Sequence, residues 1–356
     1  MNSQSVEPLT VDIASRRESM AYLCVDAFID TFVKAQVLKS AFETGLIDYL
    51  QANQPCTRDT LTQQLPCDRT GMTLLLDLLK INRVIEENHG QIQLSSQFAI
   101  ALQYRDLLQV KLDFANWVAP DFANHFTLLL ENSRQFMERS RLFDLFGYHR
   151  CFEPTPENYE LTKRWLRITT TLTKYEAQVC LQYHDFSQYQ RILDIGGNSG
   201  EFVRQICKQH PNLLATVIDL PLVCDLGQAH VAGKPEANRI NFIKGNALVD
   251  ALPKDCNLIT FKSILHDWPE AATEQFIANA SKSLAPGGTL LIFERGEIEL
   301  TDQPLPYCLL PMLLLFRYFR SPLVYQRQLA SQGFEEITIQ SINLEMPFFL
   351  IVAKKS

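Results

Sequence analysis

The chain has 356 residues, 46% of them hydrophobic and 21% charged, with a formal net charge of −7. That length exceeds the usual reach of one hydrophobic core, so two domains are expected; the acidic balance argues against non-specific nucleic-acid binding, which needs a basic footprint. The nine cysteines never fall in C-x-x-C spacing and no secretory pattern follows Met1, so they read as reduced thiols of a cytoplasmic protein and suggest no metal site.

Residues 1–18 are polar and mixed in charge and read as a loose tail. Ala21 to Leu50 shows apolar residues at helical spacing over two helices, with Gly45 at the break. Thr57 is placed to cap a short helix through Leu61, and a third helix runs from about Arg69 to Lys80. A hairpin follows, VIEE and QIQLS around Asn88-His89-Gly90. Helix, turn, helix and wing suggest DNA binding. The candidate recognition helix, however, is rich in leucine and poor in the basic and amide side chains that read bases, so burial in a dimer interface is the better account.

From Ala99 to about Asp185 the pattern stays helical and aromatic, with Phe114, Trp117, Phe122, Phe126, Phe143, Phe146 and Phe152. Most suit a core, and some suit the wall of a flat pocket. A turn at EPTPEN leads into LTKRWLRITTTLTKYEAQVCLQ, a helix that links the two halves and carries Trp165. After Phe186 strands and helices alternate: RILDI, LATVID, INFIKG, LITFKS, TLLIFE, EEITIQ and FFLIVAKK, with helices between the first five. That is a doubly wound, mostly parallel α/β sheet whose last two strands pair antiparallel. Cys308 to Phe316 is too short to span a bilayer and contains Pro311, so it reads as a buried or pocket-lining helix.

Ligands of such sheets bind beyond the carboxyl ends of the strands. The first strand ends in DIGGNSG, where Asp194, Gly196 and a helix start face the ligand. A dinucleotide fingerprint fails there, because its first glycine falls on Ile195. A strand-end carboxylate suits a cationic ligand group better than a pyrophosphate. The second strand ends at Asp219, placed to accept the ribose hydroxyls of an adenosine ligand. The third ends at Gly245-Asn246-Ala247, where an amide can meet an adenine edge. The fourth carries Lys262, His266, Asp267 and Trp268, and the fifth ends at Glu294. A histidine beside an acid and a tryptophan, with a carboxylate on the next strand end, points to catalysis.

These motifs, together with LP-x-D-C-N-L from Leu252, LAPGGTLLIFE to Glu294 and the late QGF, resemble the S-adenosylmethionine-dependent small-molecule O-methyltransferases of the caffeate and hydroxyneurosporene type. The resemblance covers nearly the whole chain. It implies a winged-helix dimerisation domain over 1–105, a helical pocket-lining region over 106–185 and a Rossmann-like seven-stranded methyltransferase domain over 186–356. It implies S-adenosylmethionine as cofactor, with Gly196 and its neighbours at the methionine part, Asp219 at the ribose and Leu220, Asn246 and Ala247 around the adenine. Lys262 and Trp268 then lie against the cofactor, His266 is the base and Glu294 orients it. A small-molecule acceptor is expected against Met312, Trp165 and Phe126, in a homodimer with neither nucleic-acid nor membrane partners. A neutral imidazole of ordinary pKa can take the hydroxyl proton at neutral pH.

Three departures stand out. Asn198 replaces the usual central turn glycine, and Asn246 replaces an acid. The stretch that normally supplies a second carboxylate near the base reads Phe319-Arg320-Ser321, which implies a hydrophobic acceptor and an altered base. O-methylation of a phenolic or enolic hydroxyl is the leading reading. Methylation at carbon, or another reaction on the same scaffold, and a cofactor-sensing regulator are the alternatives.

Overall fold

The computed structural model describes residues 30–254, 256–298, 319–344 and 346–355. Met312, the apolar run around it and the amino-terminal tail lie outside these residues. The chain forms two compact units, 1–108 and 109–356.

The first unit is a small helical core with one hairpin. Helices α1 (Asp30–Glu43) and α2 (Leu46–Asn53) are separated at Gly45, whose φ of 77° breaks the helix. Thr57 caps α3 (Arg58–Gln64) by accepting the Thr60 amide at 3.2 Å, and Asp68 caps α4 (Arg69–Ile81) by accepting that of Gly71 at 2.7 Å. The hairpin pairs β1 (Ile85–Asn88) with β2 (Gln91–Leu94), and α5 (Ser96–Ala101) follows. His89 and Gly90 turn it with φ of 50° and 75°, the left-handed pair that matches strand twist. Met72, Leu75, Leu76 and Leu79 of α4 fill the core with Ala41, Leu46, Ile47, Leu50 and Leu61. Leu74 and Ile81, on the other side of α4, remain exposed.

The second unit takes in most of α6 (Arg105–Glu131), then α7 (Ser133–Arg139), α8 (Leu142–Leu145), a 3-10 turn over Tyr148–Phe152 and the 28-residue α9 (Pro156–Tyr183). Thr155 and Pro156 start α9 as cap and first helical residue. Strands β3 (Arg191–Ile195), β4 (Leu214–Asp219), β5 (Ile240–Lys244), β6 (Cys256–Lys262) and β7 (Leu284–Arg295) are parallel, while β9 (Pro347–Lys355) lies antiparallel between β7 and β8 (Phe334–Asn343). The order is β5-β4-β3-β6-β7-β9-β8. Helices α10 (Glu201–Gln209), α11 (Pro221–Val231), α12 (Glu270–Ser283) and α13 (Pro322–Ser331) cover it. The central strands β3, β6, β7 and β9 are largely continuous apolar runs because both faces are buried, whereas the edge strands β5 and β8 alternate with exposed positions.

One expectation is corrected. No helix lies between β5 and β6 among the described residues: 245–254 form a turn in which the Asn246 carbonyl accepts the amides of Val249 and Asp250. Pro253 lacks a donor, and the segment is too short for a helix and its two connections. Among the described residues no helix is long and apolar enough to cross a membrane, and no cluster of His, Cys, Asp or Glu is arranged to hold a metal.

Candidate active site

The carboxyl ends of β3 and β4 meet at the glycine turn. Gly196 has φ of 65°, and Asn198 takes φ of 56°, a left-handed conformation that asparagine tolerates better than other side-chain-bearing residues. Its backbone amide donates to Asp219 Oδ2 at 2.8 Å, while Asp219 Oδ1 accepts the Leu220 amide at 2.7 Å. Burial raises the Asp219 carboxyl to about 6 despite those two amides. The Asn198 side chain is also used: Oδ1 accepts the Ser199 amide at 2.8 Å and the Thr169 hydroxyl of α9 at 3.1 Å. The next hydroxyl, Thr170, donates to Ser199 Oγ at 2.7 Å. Asn198, which fits no glycine pattern, thus ties the turn to α9.

Asp194 lies beneath the turn, fully buried, and accepts the Thr260 hydroxyl at 2.6 Å. Burial pushes it up to about 7. A side chain at Gly197 would strike this carboxylate, so that position has to be glycine. At the end of β5 the Asn246 amide donates to Asp250 Oδ2 at 2.7 Å, and its side chain accepts the Leu248 amide at 3.1 Å. Ala247 is buried in the same apolar cluster as Ile218.

The segment after β6 carries the acid–base group. His266 Nδ1 lies 2.6 Å from Glu294 Oε1, and Glu294 Oε2 accepts the Leu265 amide at 3.0 Å. The same ring faces a second carboxylate, with Nε2 3.2 Å from Asp267 Oδ1. Burial alone would discharge the ring. Glu294 and then Asp267 outweigh it, so the pKa of His266 is raised above the ordinary 6.5, contrary to the sequence expectation. Glu294 is held below its ordinary value against the effect of burial, chiefly by His266.

Lys262 does not point into open space. Its ammonium bonds Glu176 of α9 and donates to Thr173 at 2.9 Å, and Arg295 donates to the other oxygen of Glu176 at 2.7 Å. Burial lowers Lys262 while Glu176 resists it. Glu176 would rise on burial, but Arg295 and Lys262 hold it low.

Trp268 stacks on Tyr148 at 6.0 Å and 17°, and Trp165 meets Tyr148 edge-on at 5.6 Å. Leu220 packs in the same apolar group as Trp165 and Tyr148. Phe126 is not among these contacts: it is 42% exposed on α6 against Phe122. Tyr148, Glu176 and Thr169 were not singled out in the sequence. A usable signal was present, because Thr169, Thr173, Glu176 and Cys180 recur at helical spacing on one face of α9.

Phe319 and Arg320 occupy the stretch that lacks the expected acid. The buried Phe319 ring lies 5.4 Å from the His266 ring. Arg320 donates to the carbonyls of Leu265, at 3.1 Å, and Trp268. It pins both ends of the turn that bears His266 and Asp267.

The donor set fits the expected cofactor. Asp219 spends one lone pair per oxygen on backbone amides and keeps others for hydroxyls. Among the described residues the buried side-chain polar atoms with no protein partner are Asp194 Oδ2, Ser263 Oγ, Arg295 Nε and the indole N–H groups of Trp165 and Trp268. A ligand with a diol, an amino-acid group and a heteroaromatic ring meets such a set.

Comparison with known proteins agrees. Residues 129–335 match the family model of the O-methyltransferase domain, and residues 27–98 that of the O-methyltransferase dimerisation domain. The 3-hydroxy-5-methyl-1-naphthoate 3-O-methyltransferase of Streptomyces sahachiroi is 26% identical over 79% of each chain. The acetylserotonin O-methyltransferase of Gallus gallus is 25% identical over 87% of this chain and 91% of its own. The structure of human N-acetylserotonin methyltransferase in complex with S-adenosylmethionine superposes with a TM-score of 0.72 at 20% identity, covering 98% of this chain and all of that one.

Proposed function

The chain belongs to the S-adenosylmethionine-dependent O-methyltransferases, and from that premise we propose that it methylates a phenolic or enolic hydroxyl of a hydrophobic small molecule of secondary metabolism, with His266 as general base. The observation that carries this reading is the buried His266–Glu294 pair, 2.6 Å apart, at the carboxyl end of the sheet. Glu294 holds Nδ1, which leaves Nε2 as the atom that takes the acceptor proton. The aromatic group of Trp165, Tyr148 and Trp268 and the ring of Phe319 support a flat, apolar acceptor. The names of the naphthoate and acetylserotonin relatives point the same way.

The bound cofactor supplies an electrophilic methyl group on a sulfonium. The acceptor O–H bond breaks, its proton goes to Nε2 of His266, and the O–CH3 bond forms as the S–CH3 bond opens to a neutral thioether. Catalysis is positioning plus proton removal. In this reading Asp219 takes the ribose hydroxyls, Asn246 and Ala247 flank the adenine with Leu220, and Asp194 and Gly196 shape the methionine end. Lys262 acts through Glu176, and Trp268 closes the aromatic wall. Trp165 is proposed to line the acceptor side.

Because the ring's pKa is raised, less of it is neutral at pH 7, so the rate rises with pH through a midpoint above 6.5. The test is transfer from methyl-labelled S-adenosylmethionine to a panel of naphthols and hydroxyindoles, with their O-methylated counterparts as controls. His266→Ala is expected to lose about 10²–10⁴-fold, the usual contribution of a general base. A variant as fast as wild type would end the base assignment, and a labelled C-methyl product would favour the alternative at carbon. The dimerisation match supports a homodimer. The seven described cysteines, six of them buried and none in a disulfide among the described residues, support a reducing compartment such as the cytoplasm.

A further inference from the structure

We propose that Asp267 is a second carboxylate positioning His266, acting from the Nε2 edge, and that Tyr148 is the residue that holds Asp267 in place. The inference rests on His266 being the base. The two oxygens of Asp267 are divided: Oδ1 lies 3.2 Å from Nε2 of His266, and Oδ2 accepts the Tyr148 hydroxyl at 2.5 Å. The Tyr148 hydroxyl is aimed by its ring, which is stacked on Trp268 and met edge-on by Trp165.

The turn itself is fixed from the other side. Arg320 bonds the carbonyls of Leu265 and Trp268, and Phe319 fills the space against the imidazole. A carboxylate entering from that segment is replaced by an aromatic face and a cation that grips the backbone. Asp267, one residue beyond the base, is the carboxylate left against the Nε2 edge.

Charge balance supports the assignment. The charged and titratable groups on the ring or on its partners are Glu294 of β7, Asp267 of its own turn, Glu176 of α9, Lys262 on Glu176, Arg295, the Tyr148 hydroxyl on Asp267, and Arg320 with Tyr325 at the start of α13. Within the buried group Lys262 and Arg295 stand against Glu176, Glu294 and Asp267. The imidazolium formed by proton transfer brings this set to neutrality, and Asp267 is the acid that faces the newly protonated nitrogen. An entering hydroxyl therefore shares Nε2 with Asp267.

The test needs no acceptor. Protein carrying 13C,15N-labelled histidine is titrated by NMR, and the His266 resonance is identified by its loss in His266→Gln. In Asp267→Asn the midpoint falls by at least about half a unit, roughly threefold in the ionisation constant. In Tyr148→Phe, which keeps the ring stack, Asp267 loses a donor, becomes more basic and moves the midpoint upward. Opposite signs separate positioning from loosening, which would move both variants the same way. An unmoved midpoint in Asp267→Asn, or in Tyr148→Phe if the first variant fails to fold, overturns the proposal. Failure of the base reading is seen separately, as methyl transfer to a naphthol surviving in His266→Gln.

Discussion

Asp219 sets a pH dependence that can be read on its own. Burial raises its carboxyl to about 6, while two backbone amides already favour the charged form. Hydroxyl donors from a ribose would favour that form further, so cofactor binding and ionisation reinforce each other. Affinity for S-adenosylhomocysteine is then lowest in acid and rises through pH 6 to a plateau. With a free-protein value near 6, binding at pH 5 should be about tenfold weaker than at pH 7. Calorimetry at a series of pH values checks this, with Asp219→Asn expected to bind weakly and without that slope. A wild-type profile as flat as the variant's would remove Asp219 from the ribose. The proposed base runs the same way with pH: the neutral form of His266 would take the proton, and its raised pKa delays that form to higher pH.

At the scale of elements, the glycine turn and α9 act together. Asn198 meets two demands, a left-handed backbone and a side-chain acceptor for Thr169. Glycine satisfies only the first and alanine neither. Asn198→Ala should therefore destabilise by about 1–2 kcal/mol, the cost of the left-handed conformation for a residue with a Cβ. Asn198→Gly should cost less while still weakening S-adenosylhomocysteine binding, because the link to α9 is lost. Denaturant midpoints and calorimetry on both variants decide the matter; equal destabilisation would discount the left-handed argument. The strands, their order of appearance and the acids at their ends were legible because a doubly wound sheet buries its strands on both faces and gathers its polar groups at one edge. Asp194, Asp219, His266 and Glu294 fall on that edge through chain connectivity alone. Glu176 and Tyr148 were not legible. Helical periodicity says which residues share a face but not which strand end that face meets, and a 3-10 turn such as Tyr148–Phe152 has no periodic signature. The absent helix between β5 and β6 has a related reason: alternation of strand and helix does not extend across an eleven-residue gap whose described residues hold only turns.

For the whole molecule, the informative surface is in the first unit. Helix α4 buries Met72, Leu75, Leu76 and Leu79, yet leaves Leu74 and Ile81 exposed at 60% and 70% of their surface, and Ile100 near the end of α5 is 61% exposed. Scattered exposed apolar residues are ordinary, but two on one helix of a unit that matches the O-methyltransferase dimerisation domain are better explained as an interface. A two-fold interface uses each such residue twice, once from either subunit, so a charge placed there is also introduced twice. We expect the wild-type chain to run as a dimer by light scattering, and Leu74→Asp with Ile81→Asp to run as a monomer. Both positions are solvent-facing in the isolated unit, so the double variant should keep its helical circular dichroism. A dimer that persists unchanged in the variant would place the interface on another face.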